Sequence, residues 1–113
     1  MFEKIYDYLD GFGFEVYPIG IPPDYSKPII ILKDSEPIEV PGYAYTNNIC
    51  YMYCHYPLGD YIAVKKFKVE LKKEMSKLKN FDYIENGEYI QVDEKTNTYM
   101  FVLQYNNKQI RRF

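Results

Sequence analysis

The apolar residues of the chain form two helical stripes with strand-like segments before, between and after them. The first stripe recurs at intervals of three and four residues and consists of Phe2, Ile5, Tyr6 and Leu9. This spacing predicts a short amphipathic helix, which we expect Gly11 to end in a left-handed conformation.

The second stripe covers about four helical turns and consists of Val64, Phe67, Leu71, Met75 and Leu78. Asp60 precedes it and is a suitable N-cap, since its carboxylate can accept a backbone N–H of the first turn. We expect a long amphipathic helix that ends at Asn80.

The strand-like segments are rich in β-branched and aromatic residues and are bounded by proline, glycine and asparagine. Before the long helix, strands are predicted at Phe14–Tyr17, Ile29–Leu32 and Ile49–Tyr56. Between them we expect an extended connection over Pro18–Pro28, a solvated excursion over Asp34–Gly42 and a bend at Thr46–Asn48. After the helix, Asn86-Gly87 predicts a hairpin between Tyr83–Glu85 and Glu88–Ile90. A second turn is predicted at Glu94–Asn97, which would pair Tyr89–Asp93 with Thr98–Tyr105.

These elements predict one α+β domain over residues 1–113, in the order α-β-β-β-α-β-β-β. We expect a mostly antiparallel sheet of about four to five strands, packed against the N-terminal helix and the long amphipathic helix. A chain of 113 residues with 47% apolar content can bury such a core without a metal or a disulfide.

Composition narrows the possible functions. A net charge of −2 argues against a general nucleic-acid binder, and Tyr43–Tyr56, the most aromatic segment, contains no Lys or Arg. The fourteen tyrosines suit a protein interface, but tyrosine is also a favoured strand residue, and both interpretations stay open. The longest apolar run, Pro28–Leu32, is too short to cross a membrane. Met1–Lys4 does not begin a signal peptide, so we expect a cytoplasmic protein.

Charge is segregated along the chain. Residues 1–58 carry −5, whereas residues 59–79, which include the long helix, carry +4. The helix is either simply solvated on its basic face or contacts an acidic partner, such as the acidic part of a neighbouring copy. The residues that we select as a candidate interface are Asp34, Glu36, Glu39, Tyr43, Tyr45, Lys65, Lys66, Lys72, Lys73, Arg111 and Arg112.

Catalytic and metal-binding patterns are weak. On a strand, Cys50 and Cys54 lie about 13 Å apart, and His55 points to the opposite face, so the three cannot share a metal ion. Glu70 and Glu74 share a helix face with lysines, which favours surface ion pairs over an acid–base pair. We therefore predict no enzyme activity, no cofactor and no small-molecule substrate.

The order of elements resembles a family of phage morphogenesis proteins, the tail terminator or tail-to-head joining proteins of long-tailed phages and phage-tail-like particles. The resemblance covers most of the chain, through the segments FEVYP, KPIIILKD, YMYCHYP, DYIAVKKFKVELKKEMSKL and TYMFVLQYN. It implies a homo-oligomeric ring, usually of six subunits, that caps the tail tube, stops its polymerisation and joins it to head-side connector proteins. DNA would pass through the lumen without sequence-specific binding. The protein would occupy the host cytoplasm during assembly and then the virion.

A second hypothesis is a small soluble inhibitor or regulatory module that binds one protein partner through a tyrosine-rich sheet. Oligomeric state separates the two hypotheses, since only the first requires self-assembly.

Overall fold

A computed structural model of the protein describes residues 2–20, 24–34, 38–39, 45–79, 81–85 and 89–110, with positions 2, 38–39, 45–47 and 108–110 described by their backbone. Within these residues the chain forms two helices and seven strands. In chain order they are α1 (Phe2–Asp10), β1 (Val16–Pro18), β2 (Ile29–Asp34), β3 (Ile38–Glu39), β4 (Tyr45–Pro57), α2 (Tyr61–Met75), β5 (Phe81–Ile84), β6 (Gln91–Asp93) and β7 (Thr98–Ile110).

The described strands form one mixed sheet in the order β1-β2-β4-β7-β5, with β3 paired to β4 and β6 paired to β7. Every pair is antiparallel except β1 with β2, which is parallel. The predicted α+β class is confirmed, although the sheet has more strands than the four to five expected. The additional strands are short and lie beside the two 13-residue strands β4 and β7, which pair along their whole length.

Strand β4 begins four residues earlier than predicted. A bend was expected at Thr46–Asn48, because asparagine favours turns, but these residues continue the strand. Asn47 pairs with Lys108 of β7 on one side and with Ile38 of β3 on the other. Two neighbouring strands thus provide hydrogen-bond partners for the backbone, and this tertiary pairing overrides the local preference.

The predicted hairpin around Asn86-Gly87 is wrong in its pairing. Strand β5 pairs with residues 104–107 of β7, with Tyr83 opposite Tyr105. Strand β6 pairs with residues 98–100 of β7, so β5 and β6 follow one another along the same edge. The turn itself, residues 86–88, lies outside the described residues. The second predicted pairing is confirmed over Gln91–Asp93 against Thr98–Met100.

Both helices pack on the same face of the sheet and close the core over it. On β4 the alternate residues Cys50, Met52 and Cys54 face the helices and are fully buried. The buried side chains contributed by the helices are Ile5 and Leu9 of α1 and Val64, Phe67, Leu71 and Met75 of α2. The predicted core stripe of the long helix is therefore confirmed at these four positions, while Leu78, its fifth member, is partly buried in the turn after the helix. In the first predicted stripe, Tyr6 is exposed rather than buried.

The helix ends follow local hydrogen bonding. The Asp60 carboxylate accepts the backbone N–H of Ala63 at 3.0 Å, which confirms the predicted N-cap. Helix α2 ends at Met75 rather than at Asn80, and a turn follows in which the Leu78 N–H donates to the Met75 carbonyl. At the end of α1, the left-handed glycine is Gly13 (φ 83°) and not Gly11.

Candidate interaction surface

The side of α2 that points away from the sheet combines apolar and basic residues. Ile62, Lys66, Val69 and Lys73 recur at intervals of four, three and four residues, on the side opposite the buried stripe. Ile62 is 66% exposed and Val69 is 68% exposed, and their positions seven residues apart place them on the same side of the helix. We name this surface, which consists of Ile62, Lys65, Lys66, Val69 and Lys73, the α2 outer surface.

The structure brings three of the four predicted interface lysines together on the α2 outer surface. Lys65, Lys66 and Lys73 are exposed, and the Lys65 Nζ lies 5.2 Å from the centre of the Tyr61 ring. Lys72 is half-buried on the flank of the helix, where its Nζ lies 4.3 Å from the centre of the Tyr83 ring. Lys72 therefore contributes to the contact between α2 and β5 and lies apart from the other three lysines.

Glu74 connects the two helices. It is buried, its carboxylate lies 3.1 Å from the Lys77 Nζ, and it accepts a hydrogen bond of 3.4 Å from the Tyr8 hydroxyl of α1. The prediction of surface ion pairs is confirmed in part: Glu74 pairs with a lysine but is buried, and neither of the described ion pairs includes Glu70. Glu74 also fixes which side of α1 faces α2, namely the side that carries Tyr8.

Helix α1 has an acidic face that the sequence interpretation did not single out. Glu3, Asp7 and Asp10 are all exposed. Their spacing of four and three residues places them on one side of the helix and could have indicated it. Within the described residues, ion pairs join Lys27 to Glu15 and Lys77 to Glu74, and none involves these three carboxylates. We name Glu3, Asp7 and Asp10 the α1 acidic face.

The remaining predicted interface residues belong to the segment after β2 and to the chain end. Asp34 is exposed at the last position of β2, opposite Cys50 of β4. The side chains of Glu36, Glu39, Tyr43, Tyr45, Arg111 and Arg112 lie outside the described residues. Of the excursion predicted over Asp34–Gly42, the structure describes Asp34, which belongs to β2, and the backbone of Ile38–Glu39, which forms β3 against β4.

The sheet face opposite the helices carries a tyrosine pair. Tyr51 and Tyr53 of β4 are half-buried, and their rings stack with centroids 6.5 Å apart and planes 20° from parallel. Lys33 lies opposite Tyr51 and Ile31 lies opposite Tyr53 on β2. Both described helices pack on the other face, and the two tyrosine rings keep part of their surface exposed.

His55 has a structural environment at one end of this same sheet face. It is buried, its Nδ1 lies 2.9 Å from the Thr98 Oγ1, and the Tyr25 ring meets it edge-on at 5.0 Å. Burial lowers the pKa of His55 below its ordinary value, while the nearby Asp93 carboxylate opposes that shift. The ring is therefore held neutral in a hydrogen bond to a threonine.

The two cysteines lie on the helix-covered face, away from His55. Both are buried and form no disulfide, and the Cys54 Sγ lies 3.6 Å from the Met52 carbonyl oxygen. Burial, with a smaller contribution from the Asp34 charge, raises the pKa of Cys50 to about 12, and burial raises that of Cys54 as well. Within the described residues, no three Cys, His, Asp or Glu side chains are grouped closely enough to hold a metal ion.

Comparison with known proteins finds no family model that matches the chain and no curated protein similar to it in sequence. None of the described helices is both long and apolar enough to span a membrane.

Proposed function

We propose that the protein is a structural assembly subunit of a phage tail or phage-tail-like particle. It forms a homo-oligomeric ring, of six subunits by analogy with the family it resembles, that caps the tail tube and stops its polymerisation. The ring then joins the tube to head-side connector proteins, and DNA passes through its lumen without being recognised by sequence. This role rests on protein contacts and uses no cofactor, small-molecule substrate or catalytic residue.

The observation that carries this proposal is the α2 outer surface. A helix that served only to cover the sheet would present polar residues to water on its outer side. Here Ile62 and Val69 are exposed by about two thirds among three lysines and Glu70, and this apolar area beside charged groups is available for another protein to cover. The order of helices and strands adds support, because it agrees with the order through which the chain resembles tail terminator proteins.

Segregated charge is consistent with a subunit that has neighbours on more than one side. The basic α2 outer surface and the α1 acidic face belong to separate helices, and the tyrosine pair lies on the opposite face of the sheet. A ring subunit needs at least two such surfaces for its neighbours and further surfaces for the tube and the connector.

The test is assembly with and without tube protein. Size exclusion with light scattering should give a mass several times the 13.6 kDa of one chain. Tubes assembled from the tail tube protein of the same particle should then stop growing when this protein is added, with ring-shaped ends in negative stain. A protein that stays monomeric and leaves tube length uncontrolled would refute the proposal.

The alternative is a small soluble inhibitor or regulatory module that binds one partner through the tyrosine-rich sheet. The stacked Tyr51 and Tyr53 favour it, because tyrosine provides rigid contact area with little loss of side-chain entropy. A monomer that captures a single protein, and whose binding is lost in Tyr51→Ser and Tyr53→Ser variants while its fold is kept, would support this module.

A further inference from the structure

Two helix surfaces of opposite charge lie on one chain, and their lengths match. The α1 acidic face lies on a nine-residue helix, about 13 Å long at 1.5 Å per residue. The lysines of the α2 outer surface extend from Lys65 to Lys73, which is also nine residues and therefore also about 13 Å. Each also has exposed apolar or aromatic area, namely Ile62 and Val69 on α2 and, beside the α1 acidic face, Tyr6, which is 38% exposed.

The two surfaces cannot satisfy each other within one copy. The hydrogen bond from Tyr8 to Glu74 shows that the Tyr8 side of α1 faces α2. At about 100° per residue, Asp7 lies about 100° and Glu3 and Asp10 lie roughly 140–160° around the helix from Tyr8, so none of the three carboxylates points towards α2. On α2, the same measure taken from Glu74 gives about 120° for Ile62, about 140° for Val69 and about 180° for Lys65, so the apolar centre of the α2 outer surface points away from α1. Each charged surface is therefore available to another molecule.

We propose that the α2 outer surface of one copy binds the α1 acidic face of the next copy. Lys65, Lys66 and Lys73 would meet the carboxylates of Glu3, Asp7 and Asp10, which gives orientation and register. Ile62 and Val69 would be covered by the exposed part of Tyr6, which supplies apolar burial that exposed ion pairs alone do not provide.

This contact is head-to-tail. Its two sides are different surfaces, so each copy that binds one neighbour still offers the second surface to another. Such contacts continue until the rotation between copies closes a ring. The inference rests on the self-assembly in the proposed function and assigns the two surfaces through which subunits meet.

The experiment reverses each surface separately and then both together. The lysine variant carries Lys65→Glu, Lys66→Glu and Lys73→Glu, and the acid variant carries Glu3→Lys, Asp7→Lys and Asp10→Lys. The combined variant carries all six substitutions and keeps the wild-type net charge of −2. The matched control reverses three exposed lysines elsewhere, Lys33, Lys79 and Lys95, and has the same net charge as the lysine variant.

We expect light scattering to give a multimer of more than two copies for the wild type and the matched control, and a monomer for the lysine and acid variants. The combined variant should regain the multimer, because its reversed surfaces are again complementary. Circular dichroism and urea unfolding should show that all variants are folded. Added salt should weaken assembly of the wild type. The inference would be overturned if the wild type were a monomer or a closed dimer. It would also be overturned if the lysine variant assembled normally, if the matched control dissociated, or if the combined variant stayed monomeric.

The tube assay separates this inference from the proposed function. If the lysine variant still forms rings that limit tube length, the assigned surfaces are wrong and the function stands. If the variants dissociate and recover as expected while the wild type never limits tube length, the contact stands and the tail function is wrong.

Discussion

Replacing Phe67 by Ala tests the packing between α2 and the sheet. Phe67 is 9% exposed, and its ring lies 5.8 Å from that of Phe14, 5.6 Å from that of Tyr56 and 6.0 Å from that of Phe101. It therefore holds α2 against β4, β7 and the segment after α1 at one point.

The magnitude follows from burial and ring contacts. Burying a phenylalanine side chain contributes about 1.5–3 kcal/mol, and each favourable aromatic pair adds about 0.5–1.5 kcal/mol. Part of this is recovered when the neighbours relax into the cavity, so we expect Phe67→Ala to lower the free energy of unfolding by about 3–5 kcal/mol. For a domain whose total stability is about 5–15 kcal/mol, this is a large fraction.

The assay is equilibrium unfolding in urea, with the free energy extrapolated to water. It is repeated over a range of protein concentrations, because self-assembly adds concentration-dependent stability to the folded state. Val69→Ala is the control on the same helix. Val69 is 68% exposed, so its truncation should change stability by less than about 0.5 kcal/mol in the monomer. A loss of unfolding free energy below about 1 kcal/mol for Phe67→Ala would refute the assignment of the two helix faces. A loss for Val69→Ala that exceeds the loss for Phe67→Ala would refute it as well.

Three further predictions concern single groups. Asp60→Ala should lower the unfolding free energy by about 0.5–2 kcal/mol through loss of the N-cap, whereas Asp60→Asn should retain most of the stability that the cap provides. Equal losses in the two variants would contradict the capping role. Cys50 and Cys54 should resist thiol reagents in the folded protein and react once urea unfolds it. Because the folded pKa of Cys50 is about 12, its contribution to stability should be complete below the ordinary value near 9 and be lost as the pH rises towards 12. His55 is the only histidine, so one set of imidazole NMR signals should titrate below pH 6.5, and the free energy of unfolding should fall as the pH drops below that value. His55→Asn should remove this pH dependence of the unfolding free energy. A titration above pH 6.5 would contradict the buried, neutral ring.

The two helices and the main strands could be predicted from the sequence because their signals are local. The recurrence of Val64, Phe67, Leu71 and Met75 depends only on the period of the helix and on which side is buried. Likewise, the alternation over Cys50–Tyr56 placed both cysteines on one face of β4 and His55 on the other.

The pairing of the later strands could not be predicted in the same way. Asn86-Gly87 is a strong local hairpin signal, yet β5 and β6 both pair with β7, which is long enough to accept two partners on one edge. The start of β4 at Tyr45 likewise depends on β3 and on the far end of β7. Such partners are distant in sequence, and no local preference of asparagine encodes them.

The candidate surface was predictable in part for the same reason. Lys65, Lys66 and Lys73 stand out by charge in the sequence, whereas the position of Lys72 on the flank depends on the contact with Tyr83 of β5. The spacing of Glu3, Asp7 and Asp10 could have indicated the α1 acidic face, but the contact between Tyr8 and Glu74 was needed to show which side of α1 faces α2.

The pairing of β4 with β7 has a consequence for how the chain folds. The two strands form the centre of the sheet, but their partners are separated by 41 residues at Pro57 and Thr98 and by 65 residues at Tyr45 and Ile110. These long loops must close before the central ladder gains any stability, so we expect folding on the slow side of the range for small domains, in milliseconds to seconds. During synthesis, β4 leaves the ribosome well before β7, and its edge stays unpaired until β7 follows. The chain is therefore most prone to aggregation while the ribosome synthesises α2, β5 and β6.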